Sequence, residues 1–135
     1  MYKIKRFSMD KESIIKDKFI KNLPKSWIKS NNELDIDIEN ESYLTDSAIN
    51  KICKHIPSLI NEVKKYEKEQ GEYGMYNEVN NFDKLLDSCY IFEISINKRN
   101  LSVSFSSRKF EDWMGWYDAY YSLPEGKFLG ISFND

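Results

Sequence analysis

The chain has 135 residues, a formal net charge of −2, 41% hydrophobic and 15% aromatic residues. A chain of that length buries roughly two-thirds of the surface its unfolded form exposes, which suits one domain over residues 1–135 and argues against disorder. No run approaches the roughly 18 apolar residues of a membrane span. The basic start MYKIKRF lacks a secretory h-region, so the distant Cys53 and Cys89 are expected as reduced thiols in the cytoplasm.

In chain order, Tyr2–Phe7 alternates like a short edge strand. Ser8 or Asp10 then caps a helix whose apolar stripe is Ile14, Ile15, Phe19, Ile20 and Leu23, ended by Leu23-Pro24. A polar connector with Trp27 leads to ELDIDIE. There Leu34, Ile36 and Ile38 face one way and Glu33, Asp35, Asp37 and Glu39 the other. Thr45 is the expected N-cap of a long helix carrying Ile49, Ile52, Cys53, Ile56, Leu59, Ile60, Val63 and Tyr66 in one stripe. Pro57 lies within it without breaking the phase, which predicts a kink, and Gly71 is the expected C-cap.

Residues 71–83 read as loop. CYIFEISIN then places Tyr90, Phe92, Ile94 and Ile96 on one face. After the NKRN turn, Leu101, Val103 and Phe105 answer against three serines. A second hairpin follows, from the Trp113–Tyr121 strand through a type I turn on Leu123-Pro124-Glu125-Gly126 to Leu129, Ile131 and Phe133, with Gly115 as a candidate bulge. The fold expected is α+β: a largely antiparallel sheet of five to six strands, with a basic N-terminal helix and one long Pro-kinked helix packed on one face.

Charge is polarised along the chain. Residues 1–30 carry nine Lys/Arg against three Asp/Glu, while residues 31–50 carry six acids and no base. Such a domain can steer a charged partner toward one face, although Lys and Glu richness also simply keeps a surface wet. Catalytic and metal chemistry finds little to stand on. The single histidine, His55, sits on the border of the long helical stripe and is read as a half-buried helix residue. With Cys53 two residues away and only Cys89 besides, a His/Cys zinc site lacks ligands. Glu111, Asp112, Asp118 and Glu125 are spread along a strand and its turn, so a solvated face is the simpler reading than a metal or acid/base pair. Neither a P-loop nor a GxGxxG occurs. No enzyme, cofactor or metal is expected.

The rings are the surplus. Trp113, Trp116, Tyr117, Tyr120 and Tyr121 exceed what one face of a strand can bury, and Trp and Tyr are enriched where interfaces concentrate binding energy. Only Lys109 and Lys127 flank them, amid acids, which argues against stacked nucleic acid on this face. The candidate contact residues are Glu33, Asp35, Asp37 and Glu39 on the acidic strand, with Asp112, Trp113, Trp116, Asp118 and Tyr120 on the aromatic one.

The block LDIDIENESYLTDSAINKICKHIPSLINEVKKY, then CYIFEISINKRNLSVSF, then YDAYYSLPEGKFLGISF resembles a loose class of small bacterial cytosolic proteins, some of them immunity partners of secreted toxins. The resemblance implies a protein-binding module that neutralises a toxin, and a basic nuclease would suit the acids. It brings no catalytic residues. Two alternatives stand beside it: a nucleic-acid-associated protein using Lys3–Lys29, in which Lys11, Lys18 and Lys25 recur every seven residues, and a small enzyme using the carboxylates or Cys89. Oligomeric state is not legible.

Overall fold

A computed structural model describes residues 2–30, 33–70, 87–108 and 115–134, with 2–10 and 70 described by backbone alone. The chain opens with α1 (Tyr2–Asn22), a 3-10 turn at Lys25–Trp27 and strand β1 (Asp35–Ile38). Next come α2 (Asp46–His55), a 3-10 turn at Ile56–Ser58 and α3 (Leu59–Gln70). Strands β2 (Cys89–Asn97), β3 (Asn100–Ser107), β4 (Trp116–Ser122) and β5 (Lys127–Asn134) complete it. They form one five-stranded sheet in the order β1-β2-β3-β4-β5, in which β1 runs parallel to β2 and every later pair is antiparallel. A parallel pair needs a crossover, and α2 with α3 supplies it.

The expected strand at Tyr2–Phe7 is helix instead, and among the described residues the sheet has five strands. Six residues of alternation cannot be told from a helix: Ile4 and Phe7 are also three apart. No Gly or Pro interrupts the segment before Pro24, so the helix runs through Ser8 and Asp10 without needing either as a cap.

Thr45 caps α2 as its sequence position suggests, its hydroxyl accepting from the Ala48 N–H at 3.1 Å. Pro57 falls in the 3-10 turn between α2 and α3, where the missing N–H is tolerated. The stripe keeps its phase across it: Ile49, Ile52, Cys53, Ile56, Leu59 and Val63 are all buried. From α1 the core takes Ile15, Phe19 and Leu23, whereas Ile14 points out and is 54% exposed. Trp27 belongs to the core rather than to a polar connector, meeting the Phe105 ring edge-on at 5.6 Å.

Two bulges set which strand residues join that core. In β2 the register slips between Ile91 and Glu93. Cys89, Ile91, Ile94 and Ile96 therefore face the helices, while Tyr90 and Phe92 do not, reversing part of the expected alternation. Between β4 and β5 the slip lies at Tyr120/Tyr121, not at Gly115. Phe128 thereby turns inward beside Ile131 and Phe133, and Leu129, expected in the core, is turned out. Gly115 has another reason to be glycine, since a Cβ there would overlap the Phe133 ring. Gly126 closes the last turn at φ +62°, in the left-handed region that glycine enters without penalty.

Candidate functional site on the open face of the sheet

Helices cover one face of the sheet. The other carries the out-pointing residues of all five strands. On β1, Leu34, Ile36 and Ile38 turn toward the core and leave Glu33, Asp35, Asp37 and Glu39 exposed, the alternation expected from sequence. Asp35 lies opposite Glu93 and Asp37 opposite Ser95 on β2. Ser102 and Ser104 of β3 then lead to Tyr120 and Asp118 of β4, register partners in the same order.

On β4 the aromatic cluster divides by parity. Tyr117 and Tyr121 are buried among the helices, and both hydroxyls find fixed partners. Tyr117 donates to Glu67 at 2.6 Å, and the Tyr121 hydroxyl lies 2.8 Å from His55 Nδ1. Burial, reinforced at Tyr117 by Glu67, pushes both phenols well above the usual tyrosine range. His55 is half-buried and stacked on Phe128, and desolvation lowers its pKa against a smaller opposing pull from Glu62. Both thiols are buried and pushed up to about 12, chiefly by desolvation, the opposite of what activates a cysteine.

Trp116, Asp118 and Tyr120 take the open face, with very different freedom. Asp118 is engaged by its own chain: Ser104 donates to it at 2.5 Å, Trp116 Nε1 at 3.2 Å, and the Asn134 amide to its second oxygen. Three donors around a half-buried carboxylate make a structural clasp joining β3, β4 and β5. Trp116 is also half-buried and meets Phe92 edge-on at 6.2 Å. Tyr120 is the most exposed of the three. Its hydroxyl pairs with Ser132 at 3.1 Å, but the residue is 39% exposed. Beside it stands Leu129, 57% exposed. Asp112 and Trp113 lie outside the described residues, as do Glu111 and Lys109.

Tyr120 and Leu129 form one wall of an open groove of about 500 Å³. Asp37 and Glu39 form the other, and Ser95, Asn97, Asn100 and Ser102 contribute polar side chains between them. The groove thus crosses the sheet from β1 to β5, and among the described residues its lining contains two carboxylates and no base. Three of the residues proposed from sequence, Asp37, Glu39 and Tyr120, meet here. Leu129 was missed because a bulge, invisible in the alternation, turns it out; Gly130, the next residue, was the available signal. Glu33 and Asp35 are exposed but outside the groove lining. Among the described residues no three His, Cys, Asp or Glu side chains converge as metal ligands.

The basic segment looks different from its sequence. Lys11 and Lys18 pair with Glu41 and Asp46, so two members of the seven-residue series face acids of the same chain. Among the described residues no helix is long and apolar enough to cross a membrane. No protein-family model, curated protein or solved structure matches the chain.

Proposed function

We propose that this protein is a binding module that neutralises a basic protein toxin, such as a nuclease, by covering it with the open face of its sheet. One observation carries the reading: on the face that no helix covers among the described residues, the exposed pair Tyr120 and Leu129 stands across a groove from the exposed acids Asp37 and Glu39. An exposed apolar pair in a polar surround suits a partner, because aromatic and aliphatic anchors govern residence time while charge governs encounter. The acids of β1 supply that charge, and the free edge of a strand only four residues long keeps them accessible.

The test is co-expression with the toxic product of the adjacent reading frame. Restored growth, together with co-purification of the two chains, is the expected outcome. Unaltered toxicity and no complex would remove the toxin-neutralising reading.

A further inference from the structure

We infer that the groove across the sheet receives a short extended segment of the partner, carrying one apolar and one basic residue spaced about three positions apart. This rests on the protein-binding reading and names what the surface recognises. Five strands each contribute to the lining, and neighbouring strands lie about 4.8 Å apart. The acids on β1 and the apolar wall on β4 and β5 are therefore separated by about 14–19 Å, three to four strand spacings. A single Lys or Arg, whose extended side chain reaches roughly 6 Å, cannot touch both walls. Two residues of one segment can. After that reach is subtracted, their Cα atoms need to be roughly 8–13 Å apart, which a chain extended as polyproline II covers in about three residues at roughly 3.1 Å each, and its threefold period puts residues i and i+3 on the same side.

Charge fixes the occupant's polarity. Two carboxylates without a base in the lining favour a cation at the β1 end. At the other end, Tyr120 and Leu129 offer apolar surface that a Leu or Met would cover. Ser95, Ser102, Asn97 and Asn100 between them can hydrogen-bond a peptide backbone. An acidic or purely polar segment would meet repulsion at one wall and leave the other wet.

The probe is a blocked hexapeptide, serine-leucine-serine-serine-arginine-serine, titrated to several millimolar into the ¹⁵N-labelled full chain. Three companion peptides place leucine and arginine adjacent, replace arginine by glutamine, or replace leucine by serine. The spaced peptide is expected to shift amides at both walls, near Asp37 and Glu39 and near Tyr120 and Leu129, and to bind at least fivefold tighter than any companion. In Asp37→Asn/Glu39→Gln the preference for arginine over glutamine should vanish while the leucine preference stays; in Leu129→Ser the reverse should hold. Absence of shifts, shifts elsewhere, or equal affinity for all four peptides would overturn the inference. A toxin that still binds in that event would leave the protein-binding reading intact and move its contact off the groove. Spaced-peptide binding without any toxin complex would overturn only the neutralising role.

Discussion

The two faces of β4 carry the same chemistry to opposite ends. Tyr117, Ala119 and Tyr121 are sealed beneath the helices, with Tyr117 and Tyr121 each tied through the hydroxyl to one named partner. Trp116, Asp118 and Tyr120, one residue out of phase, grade from clasped to open. A ring on the inner face is part of a close-packed core, where lost volume leaves a cavity. A ring on the outer face is free to lose its water to something else. Residue type says little about which it is; parity and bulges decide.

That contrast can be broken first from the inside. Phe105 stacks on Tyr117 and touches Trp27, so Phe105→Ala should cost about 3–5 kcal/mol in denaturant unfolding. Tyr117→Phe is milder. It leaves the buried Glu67 carboxylate without its donor, and a loss of about 1–3 kcal/mol is expected. On the outer face, Asp118→Ala should cost a similar amount, about 1–3 kcal/mol, because Ser104, Trp116 and Asn134 lose their common acceptor. Such a loss would mark Asp118 as a structural clasp; a change below about 0.5 kcal/mol, typical of a free surface residue, would return it to the contact surface.

Smaller effects separate encounter from anchoring. Asp37→Asn with Glu39→Gln should leave stability unchanged, slow association with a basic partner and flatten its salt dependence. An unaltered association rate would take the acids out of recognition. The weakest effect expected is at His55. Its folded pKa is lowered by burial, so the unfolded chain binds the proton more readily. Stability should be full above the unfolded value of about 6.5 and should fall as pH drops from there through the folded pKa. Thermal unfolding of His55→Gln against the unaltered chain at pH 7.5 and 5.5 checks this: the variant's melting temperature should drop less.

Much of the architecture was legible because long apolar periodicity is hard to imitate. The stripe from Ile49 to Val63 survived an internal proline, and the Leu34-Ile36-Ile38 alternation fixed which acids of β1 reach solvent. Short patterns failed where two periods coincide, as at Tyr2–Phe7, a helix with a strand's spacing. The site was half legible. Acids on an alternating strand declare themselves, but Tyr90, Phe92 and Leu129 changed faces through bulges that depend on the neighbouring strand's register. Of the three donors that clasp Asp118, Trp116 lies two positions away, but Ser104 and Asn134 lie 14 and 16 away, beyond what a local pattern shows.

The most direct test is a calorimetric titration of the proposed partner, the purified toxic product of the adjacent reading frame, into the unaltered chain and into Tyr120→Ser/Leu129→Ser, with an unfolding curve for each. An open binding face predicts unfolding midpoints that nearly coincide and an affinity at least tenfold weaker in the variant. Equal affinities, or a variant as destabilised as a core truncation, would contradict it.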